Sequence, residues 1–553
     1  MQKEKAADSR KVNSTDTGNR LAQTLRRHSP ILASFLAMFA WFWIVVHWLP
    51  LREGRDMMTY FIWFRDLFQF EPEFPLLMLF RTPLTPLFYG TCFEFLDETG
   101  IELILALSYA GSVTCVFAVL HEFSSVAAWI FDALLGVNLW LFRSFNAVGS
   151  ETLQTVFLCL WFCCVFFAMR STKARAWAGC AVLVALLVLN RPGNVTFALC
   201  FLLPLFIANA SAGRRCMLSC VFLIVYSALH LVFCSFNYLR FGEFCIAKLG
   251  DAHLPFYRLF VQEHVISPSN GPASRQLAEL VDANILTSPL YAQYEITQDV
   301  FFRCSTQRMF NSLIYAVQKD QWAGGFALLR KAGIESLWHD PRGSFLRYVE
   351  HLVTVFDYGD RKRFKISNLR DLGRAFVRER EKLYARYTAK GLALPTEGDL
   401  VPSTPLFAAR EGRRSDNWFG LQRTVKEWRV SAPAPLISPG DGLFEVSRKL
   451  IPNYYWFLLG GLCLLVARLA GPVDFRIPLL TAIAMISLLA TLFGSVQWEF
   501  RYPFDPIFTA FTVHAAHSSI AGICRLWVAY PSARVSTLWR KLRGGLRGLK
   551  LAR

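Results

Sequence analysis

Nine charged side chains interrupt or border long apolar runs in this chain: Glu53, Asp56, Asp66, Arg81, Arg143, Glu151, Arg191, Glu499 and Arg501. An ionised group beside apolar sequence is costly unless it is paired, hydrated or put to use. A carboxylate held there can take a proton from a hydroxyl or amine, and an arginine can grip a phosphate with two parallel N–H donors. Acids and arginines gathered at one membrane face would therefore suit transfer of a group from a lipid phosphate to an acceptor. No carboxylate pair and no Cys/His spacing compels a metal site, so metal dependence stays open.

The elements that must position these residues are membrane spans. The chain has 553 residues, 54% of them hydrophobic, with 49 Phe, and a mean hydropathy of +0.32. That is too apolar for an ordinary soluble protein of this length. The net charge of +18 then reports orientation and contact with anionic headgroups rather than nucleic-acid binding. Several of the 14 Cys, among them Cys159, Cys163, Cys180, Cys200 and Cys234, lie inside apolar runs and act as small hydrophobes.

A spanning helix needs about 20 apolar residues. Segments of that character lie at 31–49, 101–120, 126–141, 152–169, 177–190, 195–209, 216–236, 456–469, 477–493 and 503–519. The basic segment 1–30 reads as a cytoplasmic tail, and 31–49 as an uncleaved signal anchor. The apolar stretch 74–95 holds Arg81, Pro83 and Pro86 at its centre. If it crossed, the clusters Arg170, Lys173, Arg175 and Arg214, Arg215 would face outward. If it does not, they and the basic tail 524–553 all fall inside. The charge pattern thus predicts a mainly α, polytopic bundle of about ten spans, with 74–95 partly embedded on the outer face.

Two outer regions follow. The first, 50–100, carries Tyr60–Phe68 as an interfacial helix with aromatics down and Arg65 and Asp66 up. The second, 237–453, is the size of a domain, lies between the module 31–236 and the closing helices 454–523, and shows helical character near 368–387. In this topology the nine charges share the outer side, and only Asp132 falls within a span.

Several motifs occur in order: Gly54-Arg55-Asp56, Arg81-Thr82-Pro83-Leu84-Thr85-Pro86-Leu87-Phe88, Ser150-Glu151-Thr152-Leu153, Asn190-Arg191-Pro192-Gly193, Asn237-Tyr238-Leu239-Arg240-Phe241-Gly242 and Glu499-Phe500-Arg501-Tyr502-Pro503. The set resembles bacterial polytopic GT-C type glycosyltransferases, relatives of the protein O-mannosyltransferases and aminoarabinose transferases. Arg55 interrupts the Gly-Asp step of that pattern, and most of 252–451 has no counterpart in it. The resemblance implies an inner-membrane enzyme with its active site facing the periplasm. It also implies a polyprenyl-phosphate-linked sugar as donor, no bound cofactor, and an acceptor that is a lipid, glycan or protein. It makes Asp56 the catalytic base with Glu53 in reserve, and Arg81, Arg191 and Arg501 candidates for the donor phosphate. Glu151 and Glu499 would orient substrate.

Plainer readings stand beside these. Asp56 fits a helix N-cap, and Glu151 a favourable acid in a first helical turn. Asp66 fits the polar face of the interfacial helix, and Arg143, Arg191 and Arg501 fit interface anchors. Asp132 could bond a neighbouring helix, and His230 a packed, hydrogen-bonded position. His339-Asp340 before Pro341 marks a turn, and Asn194-Val195-Thr196 matches a glycosylation acceptor only by chance. A transporter or flippase of a lipid-linked substrate is the alternative function, although its ionisable residues would sit at mid-helix. A partner-recruiting scaffold is a third reading.

Overall fold

The computed structural model describes residues 28–52, 54, 56–68, 75–248, 254–288, 291–292, 295–303, 305, 307–318, 322–356, 436, 442–450, 454–494 and 498–529, with isolated positions between 382 and 391. Glu53, Arg55, residues 1–27 of the amino-terminal basic tail, most of the 368–387 helical patch and the closing basic tail beyond 529 fall outside these residues.

The described residues are mostly helical (83%). Among the described residues six helices are long and apolar enough to cross a membrane. They are α1 (His28–Val46), α5 (Glu98–His121), α8 (Ser150–Ala168), α10 (Ala212–Phe241), α19 (Arg476–Gly494) and the helix at Tyr502–Arg525, whose α-helical part is α20 (Asp505–Ala529). Of the other four expected spans, 126–141 is a pair, α6 (Ser125–Gly136) and α7 (Leu139–Phe145), bent by 67°. Asn138 makes the bend, its side chain capping Leu141 N at 2.9 Å. The remaining three are shorter apolar helices: α9 (Ala174–Asn190), the 3-10 segment Pro192–Phe206 and α18 (Tyr454–Ala470). The 3-10 winding stretches its 15 residues to about 30 Å, against about 22 Å for an α-helix.

Between α1 and α5 the described residues form three helices: α2 (Met57–Leu67), α3 (Pro75–Phe80) and α4 (Leu84–Phe95). At 12 residues α4 is about 18 Å long, short of a bilayer core. Its start is written in the sequence. Pro83 stands at the N-cap and Pro86 in the first turn, where a missing N–H costs nothing.

The expectation for α2 needs correction. Met57, Tyr60, Phe61, Ile62, Trp63 and Phe64 are all buried, and so are Arg65 and Asp66. Arg65 Nε and Nη2 both donate to Asp66 Oδ1, at 2.8 and 2.6 Å. Arg240, at the end of α10, donates to the Asp66 and Leu67 carbonyls. The two charges neutralise each other, so α2 can be covered on every side instead of lying open at an interface. Its cover includes α4, where any side chain at Gly90 would collide with the Phe64 ring, and α3, whose Met78 carbonyl accepts from Trp63 Nε1 at 3.2 Å.

The insert between α10 and α18 is helical where it is described, with its own core built on Phe256, Phe260, Leu277, Phe301, Phe310 and Leu329. Its main helices are α11 (Leu254–Tyr257), α12 (Pro272–Val281), α13 (Gln298–Arg303), α14 (Gln307–Gln318), α15 (Trp322–His339), α16 (Pro341–Phe356) and α17 (Gly442–Leu450). Asp340 forms the expected turn, accepting from Gly343 N at 2.9 Å to cap α16. Phe356 and Phe444 return to the main bundle core.

Candidate functional site

Residues of the segment between α1 and α5 meet the start of α8 and the end of α9. Asp56 occupies the N-cap position of α2, yet its side chain makes no capping hydrogen bond. It reaches Arg81 instead, Oδ1 to Nη2 at 2.9 Å, with 41% of the Asp56 side chain and 16% of the Arg81 side chain exposed. The Arg81 guanidinium also lies over the Tyr60 ring, 5.2 Å from its centroid. Burial works against the Arg81 charge, but the Asp56 carboxylate and Tyr60 outweigh it and raise its pKa. Burial pushes the Tyr60 hydroxyl up to about 12, so Tyr60 is a neutral hydrogen-bonding group at physiological pH, bonded to Ser150.

Ser150 passes the connection on. Its hydroxyl accepts from Arg191 Nε at 2.8 Å, and Arg191 Nη2 pairs with Glu151 Oε1. The face of the Arg191 guanidinium rests on the Phe500 ring at 4.9 Å. Four of the sequence-derived site residues, Asp56, Arg81, Glu151 and Arg191, thus form one connected polar patch. Glu499 adds its charge near Arg52, Arg143 and Tyr502.

A polar scaffold lies beneath the patch. Thr82 and Thr85 donate to the Asn190 backbone carbonyl and side-chain oxygen, each at 2.7 Å. Asn190 donates to the Ser150 carbonyl at 3.1 Å and to Gln154 at 3.3 Å. Gln154 and Asn194 exchange two bonds, at 2.9 and 2.7 Å, and Ser487 of α19 reaches Asn194 at 3.3 Å. Each buried amide here would cost roughly 1–3 kcal/mol if left unpaired, so the network fixes the spacing of α4, α8 and α9. Asn194 is buried within it and is no glycosylation acceptor. Tyr89 extends the scaffold, bonding Thr152 at 2.8 Å and the Ala147 carbonyl at 3.1 Å.

Gly54 places the Asp56 segment. A Cβ at this position would sit 1.9 Å from the Val148 carbonyl oxygen, so the strand-like run that holds Arg52 can lie against 146–148 only with glycine here. Arg52 N donates to Asn146 O at 3.0 Å and Val148 N to Arg52 O at 3.1 Å.

Arg501 is placed differently. Its side chain is fully buried, pairs with Asp505 at 3.2 Å, donates to the Phe356 carbonyl at 2.9 Å and lies over the Phe356 ring. Asp505 in turn accepts from Asn138 at 3.0 Å. These bonds make Arg501 a strut between α7, α16 and α20, closed to an incoming phosphate. Arg143 lies over Trp140 at 5.9 Å. Asp132 is buried on α6 beside Ser34 of α1, at 2% exposure, and takes no part in the patch. His230 packs on α10 with Nδ1 bonded to the Tyr226 carbonyl at 2.8 Å. Among the described residues no group of three or more His, Cys, Asp and Glu side chains could hold a metal ion.

Sequence reasoning passed over Arg52, Ser150, Asn190, Gln154 and Phe500 as functional partners. All but Arg52, which is one residue removed from Gly54, adjoin a quoted motif or stand within one, which is the signal that could have found them. No family model, curated protein or solved structure matches the chain.

Proposed function

We propose that the chain is an integral-membrane glycosyltransferase that moves a sugar from a polyprenyl-phosphate-linked donor to an acceptor, with its site on the outer face of a bundle of about ten spans. The observation that supports this most is the Asp56–Arg81 pair, joined through Tyr60 and Ser150 to Glu151 and Arg191. Asp56 is the proton acceptor: it is the most exposed carboxylate of the patch and is aimed by an arginine rather than spent on a helix cap. Arg81 positions it. Arg191 and Glu151 present a neutral pair with N–H donors and a carboxylate for substrate hydroxyls, and the positive remainder of the site faces the leaving phosphate. The helical insert lies on the same outer side in this reading. The membrane is a bacterial inner membrane and the acceptor a lipid, glycan or protein.

The test is release of polyprenyl phosphate from a labelled polyprenyl-phosphoryl hexose by the full chain in nanodiscs, supplied with membrane extract as acceptor. Wild type releases it, and Asp56→Asn is slower by roughly 100-fold or more. A wild-type rate in Asp56→Asn would remove that residue from the chemistry, and no release by wild type from any lipid-phosphoryl sugar tried would sink the reading. Labelling of Leu84→Cys from the outside checks the orientation; protection there with access from the cytoplasm would reverse it.

Transport of a lipid-linked substrate draws on Asp132, a buried carboxylate inside the bent α6–α7 pair. Loss of lipid translocation in Asp132→Asn vesicles, with Asp56→Asn unaffected, is the pattern that would favour it.

A further inference from the structure

The sequence pattern pointed to Arg81, Arg191 and Arg501 for holding phosphate. Each of these has a carboxylate within ion-pair distance: Asp56, Glu151 and Asp505. Two other arginines in the same neighbourhood do not. Among the described residues neither Arg52 nor Arg143 forms an ion pair, and both are partly buried.

The backbone roots these two side chains at one spot. Arg52 pairs in parallel with Ala147, and Arg52 Nε donates to the carbonyl oxygen of Arg143 at 3.3 Å. That bond sets the Arg52 guanidinium against the end of α7, the helix that carries Arg143. Trp140, one turn earlier on α7, supports the Arg143 guanidinium and stacks on Tyr502 with ring centroids 5.9 Å apart. Trp140 and Tyr502 thus wall the corner with aromatic rings, and Gly54 keeps the Arg52 strand close enough to reach it.

Two guanidiniums brought together in a partly dry corner repel each other. Burial first, and Arg143 second, draw the Arg52 pKa down to about 10, against the opposing fields of Glu499, Tyr502 and Glu151. Glu499 is the carboxylate whose field acts on both arginines. Glu151 acts on Arg52 alone, and neither carboxylate forms an ion pair with either arginine. Such a pair of arginines is unfavourable when empty and becomes favourable once a dianion enters, because each planar fork can bond two of its oxygens.

We propose that Arg52 and Arg143 form a binding site for a phosphoryl dianion, presented by a lipid phosphate headgroup or by a free phosphate. The identification of that group with the sugar donor's phosphate rests on the transferase reading; the anion site itself does not.

The experiment is binding of labelled decaprenyl phosphate to the full chain in nanodiscs of zwitterionic lipid, with inorganic phosphate as competitor. Wild type binds the lipid phosphate, and Arg52→Gln and Arg143→Gln each weaken binding by roughly 10-fold or more. Arg143→Lys keeps the charge but not the fork and falls between. Thermal unfolding midpoints equal to wild type show that the variants fold. Competition by inorganic phosphate at millimolar concentration assigns the site to a free phosphate, and lack of competition assigns it to the lipid headgroup. Wild-type affinity in both glutamine variants, or no binding of either probe by wild type, overturns the proposal. Binding that depends on both arginines in a protein with no transferase activity would leave the anion site standing and remove the transferase reading.

Discussion

Two ionic clusters in this protein use the same residue types to opposite ends. In the insert, Glu263 is completely buried between Arg258 and Arg347, each at 3.2 Å, with His351 at 3.7 Å. Arg258 lies over the Phe493 ring at 4.5 Å, and Tyr348 donates to the Leu489 carbonyl at 2.6 Å. Burial pulls the Glu263 pKa up and the Arg258 pKa down, both toward neutrality, against their mutual attraction. Around Asp56, by contrast, the carboxylate is 41% exposed, the pairs sit in a row, and Arg52 and Arg143 add charge without an ion-pair partner among the described residues. A sealed cluster joins the insert to α19, and the other is left open to solvent. Charge near a membrane marks a site only when it is accessible and out of balance.

The comparison can be broken most forcefully at Glu263. Glu263→Gln leaves two arginines buried without their carboxylate and costs about 3–5 kcal/mol. The thermal unfolding midpoint in detergent therefore falls by several degrees, while affinity for decaprenyl phosphate in the protein that remains folded is unchanged. Gly54→Ala inverts that outcome. Its Cβ would force the Arg52 strand off Val148, so phosphate binding and transfer both fall by about tenfold or more, for a stability cost of about 1–3 kcal/mol.

A pH measurement sharpens the contrast further. Burial draws His264 of the insert down to about 4, below its unfolded value of about 6.5. The stability that this neutral histidine contributes is present above about pH 6.5 and is lost as pH falls through about 4. His264→Gln removes that part of the acid sensitivity, read from unfolding midpoints between pH 7 and 4. The smallest effect is expected at Glu335, whose carboxylate accepts from the Ala273 and Ser274 amides at 2.8 Å at the start of α12. Glu335→Gln costs about 1 kcal/mol of stability and leaves ligand binding alone.

The helical class and the positions of the apolar segments were legible in the sequence, because hydropathy and helix length answer to the same bilayer dimension. The kinship of Asp56, Arg81, Glu151 and Arg191 was also legible, since each stands in a motif next to a helix end. The pairing was not. Asp56 reads equally well as an N-cap until Arg81 is seen beside it, and that choice depends on a fold that brings α2 and α4 together. Asp66 was misjudged for a related reason: a charged residue adjacent to Arg65 reads as a polar face, and only the packing of α4 and α10 makes it a buried pair. Arg143 was read as an interface anchor and Arg52 was passed over, because the meaning of the pair lies in its juxtaposition without a carboxylate, which has no sequence signature.

The stacking of Phe500 on Arg191 sets an order on the protein's biosynthesis. A ribosome adding roughly 5–20 residues per second delivers Phe500 only tens of seconds after Arg191 has been made. Through that interval the Glu151–Arg191 pair waits in the translocating chain with one face uncovered, and Asn138 waits for Asp505. The patch can be completed only once the stretch between α19 and α20 has been made, so a ribosome stalled within the insert leaves Arg191 without Phe500 and Asn138 without Asp505.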